Sequence, residues 1–150
     1  MDKFHFPKKF RSGQWESISQ LLSGGRLLAE WRPDPAPAWI CCVPSLRKPY
    51  PIMDLAMRLA QRLNLTFIPC IRKVKDNQPQ RLQFNSVQRC RNLDAAFQVD
   101  LQRGAYAPCL LLDDSVETGW TLTLLSALLR QAGGQAVHPL TLAVNNLGQE

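Results

Sequence analysis

Three leucines, Leu110, Leu111 and Leu112, run straight into two adjacent acids, Asp113 and Asp114. A polar loop with Thr118, Gly119 and Thr121 follows, and then an apolar segment with helical spacing begins. An apolar run without alternation suits a strand buried on both faces, as in a parallel sheet covered by helices. Leu122, Leu125, Leu129 and Ala132 recur at helical intervals, Arg130 falls in the last turn, and Gly133-Gly134 ends the run. Strand, loop and helix in this order predict an α/β domain whose ligands meet the carboxyl ends of its strands.

The residue types narrow the chemistry. Two neighbouring carboxylates accept hydrogen bonds from sugar hydroxyls and can hold Mg²⁺ directly or through water. The loop from Ser115 to Thr121 brings the opposite polarity. Its N–H groups, the Thr118 and Thr121 hydroxyls and the start of a helix dipole suit a monophosphate. Gly119 allows close backbone approach and positive φ. A plain surface turn between a core strand and a core helix uses the same residue types, so this motif needs support from the rest of the chain.

That support comes from several segments. Leu111-Leu-Asp-Asp-Ser-Val-Glu-Thr-Gly-Trp-Thr-Leu122 resembles the phosphoribosyl-pyrophosphate motif of type I phosphoribosyltransferases. Within that superfamily it looks closest to a module at the end of certain bacterial RecQ-like DNA helicases. Trp39-Ile-Cys-Cys-Val-Pro-Ser-Leu-Arg47 resembles the first strand and the pyrophosphate loop after it. Val74-Lys-Asp-Asn-Gln-Pro-Gln80 and Asn85-Ser-Val-Gln-Arg-Cys-Arg-Asn-Leu-Asp-Ala-Ala-Phe97 resemble the mobile segment, with a similar arrangement in ComF-type competence proteins. The likeness spans residues 38–144.

The resemblance implies a mostly parallel central sheet with helices on both faces. It implies that Asp113 and Asp114 face ribose hydroxyls and Mg²⁺, and that Ser115, Val116, Thr118, Gly119, Trp120 and Thr121 wrap the 5′-phosphate. Ser45, Leu46, Arg47 and Lys48 would form the pyrophosphate loop, and Lys75, Arg81 and Arg89 would reach in from the mobile segment. Glu117 stands where some purine enzymes of the superfamily carry an acid near the base, so it would act as a general base or sit in solvent. The sequence departs from the family at Trp120, which is bulkier than the residue usual in this loop. Pro44 and Pro49 stiffen the first loop.

Three functions compete. One is a helicase accessory module that binds a phosphoribosyl or nucleotide phosphate. The second is an active Mg²⁺-dependent transferase, and the third a DNA-contacting domain with a degenerate pocket. No Walker A loop or motor motif is present, so an ATP-dependent helicase activity would belong to a parent chain. A net charge of +6 and a pI near 9.4 suit a polyanion or a phosphorylated substrate. Lys3, Lys8, Lys9 and Arg11, then Arg47 and Lys48, then Arg72, Lys73 and Lys75, then Arg81, Arg89 and Arg91 group the basic residues. No apolar run approaches the roughly 20 residues of a membrane span, and the N-terminus lacks a signal-peptide core. The expected setting is cytoplasmic, with no membrane partner; the oligomeric state is open.

Five cysteines without CxxC spacing read as reduced thiols, and His138 as a strand-end residue. The chain is expected to comprise an N-terminal lead-in and helical cap (1–37) and the phosphoribosyltransferase-like domain (38–150). Helices are expected over 14–22 and 51–63, and strands over 39–43, 66–71, 97–101 and 135–144, the last interrupted by Pro139.

Overall fold

The structure, a computed structural model, describes residues 32–46, 49–75, 96–101, 105–116 and 119–144. The helix expected over 14–22 lies outside them. The first strand, β1, runs Trp39–Cys42 and leads to helix α1, Pro49–Leu63. Short strands β2 (Thr66–Phe67), β3 (Ile71–Lys73) and β4 (Phe97–Val99) follow. Then come β5 (Cys109–Val116), α2 (Trp120–Gln131) and β6 (Val137–Val144).

Four strands form one sheet in the order β2-β1-β5-β6, and every neighbouring pair in it is parallel. Strands β3 and β4 pair antiparallel in a separate two-stranded sheet. The apolar runs of β1 and β5 are explained by burial on both faces. Trp39, Cys41, Val43, Cys109 and Leu111 pack with Leu122, Leu125 and Leu129 of α2 and with Ile71 and Phe97. Ile40, Cys42, Leu110 and Leu112 turn the other way, onto Ile52, Leu55, Ala56, Leu59 and Ala60 of α1. Fully burying each such leucine or isoleucine stabilises the fold by about 1.5–3 kcal/mol. Helices therefore cover both faces of a parallel sheet.

Helix α1 tolerates Pro49 and Pro51 because the N–H groups of a first turn have no intrahelical acceptor. Its apolar stripe sets its orientation, and the exposed Asp54–Arg58 pair, 2.9 Å apart, adds only a few tenths of a kcal/mol. It ends where Asn64 takes φ 55° and the Leu65 N–H reaches back to the Ala60 carbonyl at 2.8 Å. That closure satisfies a terminal carbonyl in the manner of an αL cap. Helix α2 ends similarly, with the Gly134 N–H on the Leu129 carbonyl at 3.0 Å. A Cβ at Gly134 would stand 2.8 Å from that oxygen, so the closure needs glycine.

Two expectations are corrected. The segment 66–71 is not one strand: β2 stops at Phe67, and Ile71 starts a strand in the other sheet. Pro69 offers no N–H to a ladder, and the Cys70 N–H turns back to the Ile68 carbonyl at 2.9 Å. Nor does Pro139 interrupt the last strand. It sits within β6, paired with Leu111, and β6 is outermost among the described strands. Strand ends differ by a residue or two elsewhere. His138 is the second residue of β6, and its Nε2 lies 2.8 Å from the Pro35 carbonyl oxygen. This contact ties the proline-rich lead-in to the sheet. Cys41, Cys42, Cys70 and Cys109 are free and buried, as their reading as thiols requires. Cys90 lies outside the described residues. Among the described residues no helix is long and apolar enough to cross a membrane.

Candidate functional site

Strands β1 and β5 lie side by side at the centre of the sheet but send the chain in opposite directions. From β1 it crosses one face through α1 to β2, and from β5 it crosses the other face through α2 to β6. Neighbouring parallel strands whose connections diverge in this way open a crevice at their carboxyl ends. Residues 43–46 after β1 and Gly119 at the start of α2 flank that crevice.

The two strands also differ in length there. Pairing between β1 and β5 ends at Cys42 and Leu112, with a last bond from the Val43 N–H to the Leu112 carbonyl at 2.8 Å. Strand β5 continues to Val116, held there by β6 alone among the described strands. Asp113 and Asp114 are thus the first residues of β5 beyond its ladder with β1. They lie in the strand, at whose end the sequence placed them, while Ser115 and Val116, read as the start of the loop, also belong to it; the strand's pleat sends the two acids to opposite faces.

Asp113 is half-buried and Asp114 exposed. The Asp114 N–H donates to Asp113 Oδ1 at 2.8 Å. Burial pushes the Asp113 carboxyl up to about 8, and the neighbouring Asp114 charge and side chain push the same way, against the backbone hydrogen bond. Asp113 is therefore largely a neutral acid at neutral pH in the free protein. A cation or a donor-rich ligand at this position would convert it to the carboxylate.

Behind the acids, Gly119 caps α2 with φ 79° and ψ −3°, and no side chain caps the helix. Its carbonyl accepts both the Thr123 N–H (2.9 Å) and the Thr123 hydroxyl (2.8 Å). A Cβ at Gly119 would meet nothing within 4 Å, so it is the left-handed backbone, not crowding, that calls for glycine. Trp120 opens the helix with its ring packed against the core cluster under α2. It is half-buried there, anchored to the core in spite of its bulk. Thr121 is half-buried in the first turn.

The remaining sequence candidates separate. Ser45 is half-buried and Leu46 is 51% exposed after β1. Arg47, Lys48, Glu117, Thr118, Arg81 and Arg89 lie outside the described residues, as do the side chains of Ser115 and Val116. Lys75 is exposed just after β3, its N–H directed at the Ala96 carbonyl. It belongs to the β3–β4 unit, where Arg72 donates to Gln98 at 3.4 Å and the Lys73 ammonium lies 5.7 Å from the Phe97 ring centre. Thr141 was missed: it is the register partner of Asp113 and is half-buried. An uninterrupted strand through Pro139 was the signal needed to find it.

Among the described residues no group of three or more His, Cys, Asp or Glu side chains could hold a metal ion. The donors present, two carboxylates, suit Mg²⁺ only as a partner of phosphate oxygens, since that ion keeps several waters and commonly takes one or two carboxylates plus phosphate.

No protein-family model matches the sequence, and no curated protein matches it. Solved structures do. A purine phosphoribosyltransferase from Pyrococcus horikoshii Ot3 aligns with a TM-score of 0.52 and 17% identity over 87% of this chain and 75% of that one. The glutamine phosphoribosylpyrophosphate amidotransferase from B. subtilis gives 0.53 and 16% over 87% of this chain and 26% of that one. An allosteric regulatory enzyme of purine biosynthesis gives 0.52 and 16%, again over 87% of this chain, and 25% of its own. The chain thus spans about a quarter of the length of two of these proteins. At such identities the likeness is one of fold, and the fold is phosphoribosyltransferase-like.

Proposed function

We propose that the chain binds a 5-phosphorylated ribose, as phosphoribosyl pyrophosphate or a nucleotide, in the crevice between the ends of β1 and β5. The observation that carries this reading is the extension of β5 beyond β1. It presents Asp113 and Asp114 at the mouth of the crevice, directly before the glycine-capped start of α2. Asp113 and Asp114 accept the ribose hydroxyls. The N–H groups of the first turn of α2, together with the Thr118 and Thr121 hydroxyls, receive the 5′-phosphate. Each hydrogen bond to a charged group contributes about 1.5–3 kcal/mol, so three or four of them suffice for specific binding. Mg²⁺ would enter with the ligand, shared between the carboxylates and phosphate oxygens, and would supply charge neutralisation there. Ser45, Leu46, Arg47 and Lys48 would close on the pyrophosphate, with Lys75, Arg81 and Arg89 as further cations.

The sequence resemblance supports the setting, an accessory module of a RecQ-like DNA helicase whose motor lies elsewhere. Structural likeness to phosphoribosyltransferases supports the ligand class. Fold alone does not supply transferase activity, so binding, not turnover, is the function we assign. Isothermal titration with Mg²⁺ and phosphoribosyl pyrophosphate tests it. Micromolar binding that disappears in Asp113→Asn/Asp114→Asn is expected. Equal heats with both proteins would refute the assignment to this crevice. Pyrophosphate release on addition of a purine or pyrimidine base would instead show an active transferase.

A further inference from the structure

Helix α1 is apolar on two faces. Ile52, Leu55, Ala56, Leu59 and Ala60 pack onto β1 and β5. Tyr50, Met53 and Met57 follow one another at i, i+3 and i+7, a spacing that lines them up on the side turned away from that core. They are 80%, 37% and 48% exposed. A helix that covers a sheet ordinarily turns a charged or polar face to water. Single apolar residues on a surface need no explanation, but three large ones aligned along one helix mark a surface that meets another molecule.

The charges beside the stripe say what that molecule is. Asp54, Arg58 and Arg62 run along one flank of it at four-residue steps. Within the chain, Arg58 Nε donates to Asp54 Oδ2 at 2.9 Å. The acid stands toward the amino end of the helix and the bases toward its carboxyl end, so the row has a direction. A second α1 laid parallel would set Asp54 against Asp54 and Arg58 against Arg58. Laid antiparallel, with Met53 against the partner's Met57, it brings Asp54 to within about half a turn of the partner's Arg58. The two-fold axis of such a pair keeps both charged rows on the same edge, so the contact is made twice. Tyr50 then lies beside the partner's Arg62, a guanidinium suited to the face of its ring. The surface is thus complementary to itself in apolar pattern and in charge.

We propose that a second copy of this chain occupies the stripe, in a two-fold symmetric dimer with α1 antiparallel to α1. Both copies then use the same patch, as an isologous interface requires. Methionine suits the centre of such a contact, because its unbranched, polarizable side chain fills the gaps a facing helix leaves. Three large side chains and a short charged row are few beside the roughly 20–30 residues a side of a standard interface. The dimer is therefore a reversible one. Its exposed charge pairs contribute little affinity and fix the orientation. None of the residues assigned to the ribose or the phosphate belongs to the stripe, so the dimer does not depend on the ligand of the crevice.

Sedimentation equilibrium of the full chain, without ligand and over a rising series of concentrations, is the test. The apparent mass should climb from 17.0 kDa toward twice that value. Met57→Glu should weaken association by more than about tenfold, because each dimer loses two apolar burials. Urea denaturation of dilute samples should show this variant folded as firmly as wild type, since the side chain it replaces is exposed in the single chain. Asp54→Arg and Arg58→Asp chains should each associate weakly alone and recover wild-type affinity when mixed in equal amounts. A monomer at every concentration would overturn the proposal and leave the stripe to a different protein. So would a dimer that Met57→Glu leaves intact, or a mixture of the two charge variants no tighter than either alone.

Discussion

Asp113 offers the sharpest test of the crevice's electrostatics. Its carboxyl titrates at about 8 in the folded chain against an ordinary value of 3.8. Between those values the folded chain holds a proton that the unfolded chain has released. Stability therefore falls as pH rises through this window, and it is highest below the unfolded value. The slope is about 1.4 kcal/mol per pH unit, or about 3 kcal/mol between about pH 5 and about pH 7.5. Asp113 is only half-buried, and water screens part of that effect, which leaves about 1–3 kcal/mol. Asp113→Asn keeps the Oδ1 acceptor for the Asp114 N–H but cannot ionise. The variant's stability relative to wild type should rise by about 1–3 kcal/mol between about pH 5 and about pH 7.5. Urea denaturation of both proteins across this range gives the difference, in which titrations common to both cancel. A difference that does not change with pH would refute the raised carboxyl and the burial argument behind it.

Three further outcomes follow from the same geometry. Ligand capture by Asp113 as a carboxylate should release a proton, so binding of Mg²⁺ and phosphoribosyl pyrophosphate should tighten from pH 6 to pH 8. Titration in buffers of different ionisation enthalpy should register up to about one proton released. Gly119→Ala meets no neighbour, so its cost should be the strain of the left-handed backbone alone, about 1–2 kcal/mol by urea denaturation. Leu111→Ala, at a fully buried position in the central strand, should lose about 2–5 kcal/mol in the same assay.

The sequence was most legible where one local signal sufficed. Uninterrupted apolar residues marked β1 and β5, helical periodicity marked α1 and α2, and Gly133-Gly134 marked an end. Placing the acids at the carboxyl end of the central strand required nothing beyond that pattern. What escaped depended on partners distant in the chain. Strand β5 persists to Val116 because β6 pairs with it there, a bond that no property of residues 113–116 announces. Thr141 stood unnoticed beside Asp113 for the same reason. Apolarity across Thr66 to Ile71 concealed a change of sheet that Pro69 had already signalled. Trp120, which looked obstructive by volume, is accommodated because its ring finds the core.

Pro139 carries a consequence for how copies of this chain behave at high concentration. A long outermost strand is a template on which another chain can add its backbone, and that is a route to fibrils. Strand β6, outermost among the described strands, is eight residues long, with Leu140 and Leu142 among them. A proline is kept inside such a strand only where its missing N–H faces away from the ladder. On that outward side it leaves a gap in the row of donors that an incoming strand would need. The residue that made the segment look broken in the sequence thus guards the sheet against self-assembly.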